Sequence, residues 1–228
     1  GETQAFHVLS YRDPLDATDP DGYFLLMLAP GIQEDTRPIP KDLILVLDHS
    51  GSMDGEKFRQ AQAAMEYILS HLNEDERFNI ISFSTGTERF ANTLRLASDA
   101  GNARTWVNGL RAEGSTDINR ALLEAAEMVD VERPTYLIFL TDGLPTEGVT
   151  DSERILGNFA AAASEDLRLF VFGVGYDVDT YLLDSLAQGH HGTSTYVLPE
   201  DRLDEILSSF YARISTPVLT NLELDFGR

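Results

Sequence analysis

Asp48, Ser50 and Ser52 stand at alternate positions in the run Asp48-His49-Ser50-Gly51-Ser52-Met53. They offer one carboxylate and two hydroxyls, all hard oxygens, on a turn that Gly51 can relax, and such a donor set suits a small hard cation. The same residue types also cap helices and form turns, so the run alone supports either reading. Two further places repeat the chemistry. Gly114-Ser115-Thr116-Asp117 supplies a hydroxyl and a carboxylate just ahead of an apolar-periodic stretch, and Thr141-Asp142-Gly143 follows directly on Tyr136-Leu137-Ile138-Phe139-Leu140. Three oxygen-bearing loops meeting at one point are much harder to assign to capping.

Whether they meet depends on the elements that carry them. Leu43-Ile44-Leu45-Val46-Leu47 is a continuous apolar run, the pattern of a strand buried on both faces. From about Glu56 to Leu72, residues Phe58, Ala61, Met65, Ile68, Leu69 and Leu72 recur at spacings of three and four, which predicts a helix with one core-facing stripe. The alternation continues through strand Phe78–Phe83, a short strand near Arg89-Phe90, and helices around Ala100–Leu110 and Ile118–Val129. Strand Tyr136–Leu140, helix Glu153–Ser164, strand Leu169–Val174, helix Thr180–Leu186, strand Ser194–Leu198 and helix Glu200–Arg213 complete it. Residues 40–214 therefore read as one α/β domain, a doubly wound, mostly parallel sheet flanked by helices. Such sheets place ligands at the carboxyl ends of the strands. The first strand and the strand after the crossover lie side by side at the switch point, so the three loops can converge there. The ends of the chain fall outside this alternation. Residues 1–39 read as a β segment (Gly22–Pro30) and a linker, and residues 215–228 as a strand (Leu222–Phe226) that pairs with that segment, giving a small accessory β element.

Composition narrows the functions available. Lys and Arg number 17 against 38 Asp and Glu, a formal net charge of −21, so a nucleic acid backbone is repelled and is not an expected partner. The same surplus also serves solubility. The absence of cysteine excludes disulfides, thiolate metal sites and thiol catalysis. No apolar run approaches the roughly 18 residues of a membrane-spanning helix, and Gly1-Glu2-Thr3-Gln4 shows no signal-peptide pattern. His190-His191 lacks a third ligand nearby and reads as loop. Gly173-Val174-Gly175 lacks the third glycine of a phosphate-binding turn and sits among acids. A Mg²⁺-dependent phosphoaspartyl phosphatase would also use an aspartate at the end of the first strand. It needs a second aspartate two positions on, where Ser50 stands, and lysine is scarce near the loops. No enzyme is expected; a structural module with an unused site is the other alternative.

Asp48-x-Ser50-x-Ser52, Thr116 and Asp142, in this order and strand context, resemble the metal-ion-dependent adhesion site of von Willebrand factor type A domains over about Pro40 to Ile214. The chain further resembles the inter-alpha-trypsin inhibitor heavy chains and their bacterial relatives. That likeness rests on Gly22–Pro30, Pro40-Lys41-Asp42, Leu47–Met53 with Gly55-Glu56-Lys57, and Asp75–Asn79. The resemblance implies a Rossmann-like fold and a bound Mg²⁺, with Mn²⁺ or Ca²⁺ as alternatives. Ser50, Ser52 and Thr116 would be hydroxyl ligands, while Asp48 and Asp142 would act directly or through water. It also implies a protein partner whose Asp or Glu carboxylate completes the ion's shell, and an extracellular or cell-envelope location. His49 departs from the small or β-branched residue usual at its position, without removing a ligand oxygen.

Overall fold

The computed structural model describes residues 5–12, 22–29, 40–130 and 132–215. They belong to two compact units, one of which is Pro40–Ser215. In the other, β1 (Ala5–Tyr11) pairs antiparallel with β2 (Tyr23–Ala29), Tyr11 lying opposite Tyr23. β2 matches the strand expected at Gly22–Pro30, whereas β1 was not anticipated. The expected strand Leu222–Phe226 and its pairing lie outside the described residues.

The larger unit is an α/β sandwich of the expected kind. Its strands are β3 (Asp42–Asp48), β4 (Arg77–Phe83), β5 (Thr87–Arg89), β6 (Arg95–Leu96), β7 (Thr135–Thr141), β8 (Leu167–Val174) and β9 (Ser194–Val197). Their order is β5-β4-β3-β7-β8-β9, with β6 pairing against the start of β4. β3 is parallel to both neighbours, β4 and β7, and all seven residues of β3 and of β7 are buried. This is why these two segments are continuous apolar runs.

Helices α1 (Glu56–Ser70), α2 (Ala100–Gly109), α3 (Ile118–Ala126), α4 (Ser152–Ala162), α5 (Thr180–Gly189) and α6 (Leu203–Ile214) flank the sheet. The period-two alternation of β3 divides its side chains between two cores. Leu43, Leu45 and Leu47 join Phe58, Met65 and Ile68 of α1 and Leu207 and Phe210 of α6. Ile44 and Val46 join Ile118 and Leu122 of α3, Phe159 of α4 and Leu182 of α5 on the other face. Burying one such large aliphatic or aromatic side chain stabilises the fold by roughly 1.5–3 kcal/mol, so the central strands are held from both sides.

The amino ends of the central strands carry a dense set of charges. Lys41 and Glu76 form an ion pair with side chains 2% and 1% exposed. Glu76 also accepts hydrogen bonds from Asn73 N at 2.8 Å and from the Tyr211 hydroxyl of α6 at 3.1 Å. Burial, followed by the Glu76 charge, drives the Tyr211 phenol far above its ordinary range. Arg77 grips Asp42 through two nitrogens, at 2.8 and 2.6 Å, and reaches Asp130 at 2.9 Å. Each of these three acids thus has a cation or a full set of donors within the chain.

Candidate metal centre

The site begins where β3 ends. Asp48 is fully buried, and both its carboxylate oxygens are engaged: Ser50 N donates to Oδ1 at 2.7 Å and Thr141 Oγ1 donates to Oδ2 at 2.6 Å. Thr141 is the last residue of β7, so the parallel pairing of β3 with β7 brings its hydroxyl beside Asp48. Burial pushes the Asp48 carboxyl up to about 6; hydrogen bonds from Thr141 and Ser50 oppose the rise, and the nearby Asp142 charge adds to it. Burial likewise lowers the His49 imidazole, against the pull of Glu88 and Glu113. The His49 ring contributes no atom to the oxygen cluster, and its Nδ1 is buried with no hydrogen-bond partner among the described residues.

Beyond Asp48 the chain makes a single 3₁₀ turn at Gly51–Met53 before α1. Ser50 Oγ and Ser52 Oγ lie 3.1 Å apart, and Ser52 Oγ donates to Asp142 Oδ1 at 2.7 Å. The Thr116 loop is tied to the same place through its backbone. Gly51 N donates to Gly114 O at 3.0 Å, Asp117 N to Ser84 O at 2.9 Å, and Thr116 N to the Thr146 hydroxyl at 3.0 Å. Asp117 caps α3 by accepting from Arg120 N at 3.0 Å, which holds Thr116 just ahead of the helix. Gly143 lies against both hydroxyl loops. A Cβ there would stand 3.7 Å from Thr116 Oγ1 and 4.0 Å from Ser52 Oγ.

All three sequence-predicted loops therefore converge at the carboxyl ends of β3 and β7. Ser50, Ser52, Thr116 and Asp142 line an open cleft of about 410 Å³, with Asp177 on its wall. Asp48 does not line the cleft and is fully buried. Among the described residues no three His, Cys, Asp or Glu side chains gather as a metal cluster. The group that could hold a cation is the hydroxyl-rich one, with two carboxylates and three hydroxyls. His190 instead packs edge-on against Phe159 at 4.7 Å. At Gly173 a Cβ would come within 2.9 Å of the Tyr196 ring, so this glycine serves packing.

One cleft residue departs from the sequence expectation that lysine is scarce near the site. Lys57 Nζ sits 2.6 Å from Asp142 Oδ2 and 3.3 Å from the Ser52 carbonyl oxygen. Gly55, at φ +92°, turns the chain into α1 and places Lys57 in that helix's first turn. Thr146 was not singled out and Thr141 was read only as part of the Asp142 loop, though each supplies a hydroxyl that fixes a site residue. The available signal for Thr141 was its place at a strand end beside Asp142.

Residues 42–209 match the sequence profile of the von Willebrand factor type A domain. The chain belongs to this family. Von Willebrand factor type A domains are, in general, adhesion and protein–protein interaction modules. Over 217 residues, 90% of its length, the chain is 33% identical to inter-alpha-trypsin inhibitor heavy chain H4 of Homo sapiens and 31% identical to heavy chain H2 of Mus musculus. It spans about a quarter of these relatives, 23% in each case. Among solved structures, a von Willebrand factor type A protein of Catenulispora acidiphila superposes with a TM-score of 0.70 at 20% identity, covering 93% of this chain and 46% of that one. The pilus adhesin SpaC of Lactobacillus rhamnosus does so with a TM-score of 0.66 at 14% identity, covering 93% and 34%. These two likenesses establish the von Willebrand factor A fold. Among the described residues no helix is long and apolar enough to cross a membrane.

Proposed function

We propose that this von Willebrand factor A domain binds a divalent cation, Mg²⁺ with Mn²⁺ or Ca²⁺ as alternatives, through Asp48, Ser50, Ser52, Thr116 and Asp142. These residues would hold the ion, which would supply an electrophilic contact for an Asp or Glu carboxylate of a partner protein. The observation that carries this reading is the oxygen spacing. At Mg²⁺–oxygen distances of about 2.0–2.1 Å, neighbouring corners of an octahedron lie about 2.9 Å apart. The Ser50–Ser52 and Ser52–Asp142 oxygen pairs stand at 3.1 and 2.7 Å. Ser50, Ser52, Thr116 and Asp142 line the cleft, whereas Asp48 does not and would act from below, on an ion through water or on the loop through Ser50 N. Of the proposed ligands that line the cleft only Asp142 is charged, so a bound divalent ion would keep positive charge there for an anionic ligand from outside.

The likeness to the heavy chains and to a pilus adhesin supports a place outside the cytoplasm or in the cell envelope. The test is thermal unfolding with and without millimolar Mg²⁺, comparing wild type with Asp48→Ala. Wild type should gain about 2.7 kcal/mol at a free ion concentration of 100 times Kd, and Asp48→Ala nothing. Equal behaviour of the two proteins sinks the reading.

Lys57 favours a second reading, because an aspartate, a threonine, a lysine and a second aspartate around Mg²⁺ also make a phosphatase site. Against it, Asp48 is sealed from the cleft with both oxygens engaged, so it is not presented to a phosphate ester. Turnover of p-nitrophenyl phosphate that disappears in Asp48→Asn would restore the enzyme.

A further inference from the structure

Lys57 is not required by the ligand set, and its position is electrostatically costly in one respect. A cation in the first turn of a helix faces the positive end of the helix dipole. It is offset by Asp142, whose Oδ2 receives the ammonium at 2.6 Å while Oδ1 receives the Ser52 hydroxyl. The side chain is 35% exposed and forms part of the cleft wall, whereas the Asp142 side chain is fully buried. Among the described residues Lys57 is therefore the one charged side chain of the cleft that pairs with a proposed ligand, holding Asp142 while still facing what enters.

We propose that Lys57 is a specificity-determining residue, a tethered cation that weakens divalent metal binding and strengthens selection for a carboxylate on the partner. This rests on the metal-binding reading above. Three carboxylates, Asp48, Asp142 and Asp177 on the cleft wall, and one ammonium sum to two negative charges. A divalent ion entering that set leaves the cleft neutral, where the carboxylates alone would leave one negative charge. Lys57 and the ion also compete for the electron density of one carboxylate. The consequence is a loaded site one charge less repulsive to a carboxylate than it would be without Lys57, in a chain whose formal net charge is −21. The acidic surface elsewhere repels an acidic partner, so the ion and Lys57 together confine a favourable place for its carboxylate to this cleft.

The experiment uses Mn²⁺ as probe, titrated into wild type, Lys57→Gln and Lys57→Arg and followed by water-proton relaxation. Acetate is then added to displace ion-bound water. Lys57→Gln should bind Mn²⁺ about tenfold more tightly than wild type and take up acetate several-fold more weakly. Lys57→Arg, which keeps the charge, should stay close to wild type in both. If Lys57→Gln binds Mn²⁺ equally or more weakly while wild type binds normally, Lys57 merely positions Asp142 and the proposal falls, with metal binding intact. If neither wild type nor Lys57→Gln takes up Mn²⁺, both this proposal and the metal-binding reading fall. Melting curves of the three proteins in chelator keep misfolding from imitating either result.

Discussion

The two ends of the central sheet handle buried acids in opposite ways. At the amino end, Glu76 has Lys41, Asn73 and Tyr211, and Asp42 has two nitrogens of Arg77. At the carboxyl end, Asp48 is just as deeply buried yet has only neutral donors, Ser50 N and the Thr141 hydroxyl. Asp142 shares one partly exposed lysine. A buried carboxylate without a cation is costly, and among the described residues that cost falls at the end that opens to solvent. The amino end is electrostatically closed, and the carboxyl end is short of positive charge.

The sharpest way to break this comparison is to remove an acid from each end. Glu76→Ala strands Lys41 without its partner in the interior and should cost about 3–5 kcal/mol in urea unfolding. A loss below about 1 kcal/mol would mean that the amino end is not closed.

The corresponding change at the other end should have the opposite sign. With chelator present, the Asp48 carboxyl titrates near 6 in the folded chain against an ordinary 3.8. The folded state holds that proton more tightly than the unfolded state. The stability this contributes is complete below about pH 4 and is lost as pH rises through about 6. Asp48→Asn escapes the loss, so the variant should overtake wild type between pH 4 and 7 by up to about 3 kcal/mol. Parallel stability–pH curves for the two proteins would remove the contrast.

The smallest of the three effects sharpens the comparison. Thr116→Ala leaves the charges at both ends unchanged and removes one hydroxyl. At a Mg²⁺ concentration that gives wild type about 2.7 kcal/mol, this variant should keep less than half of the gain, while its melting in chelator stays close to wild type. Full retention of the gain would exclude Thr116 from the ion's shell.

The fold was legible in the sequence where burial is two-sided, because β3 and β7 have no exposed face to interrupt their apolar runs. The oxygen loops were legible because each follows or precedes such an element at a recognisable end. β1 escaped notice because His7 and Ser10 interrupt its apolar residues, whereas β2, with Tyr23, Phe24 and Leu25 exposed as well, is an unbroken apolar run. β6 has only two residues, too few for any period. Lys57 reads in sequence as an ordinary helix-surface lysine, since its partner Asp142 lies 85 positions away. The depth of Asp48 was equally hidden. The sequence left open whether Asp48 acts directly or through water, and the last residue of this fully buried strand ends below the cleft that Ser50 and Ser52 line.

The backbone bonds that join the loops carry a further consequence. Gly51 N to Gly114 O, and Asp117 N to Ser84 O, tie together segments that meet only once β3, β4 and β7 are paired. No fragment holding the Asp48 loop alone can reproduce the oxygen cluster. Uptake of the proposed ion would then report on cooperative folding of the whole larger unit. Its clearest signature should be slower hydrogen exchange at the β3 and β7 amides, well beyond the residues that touch the ion.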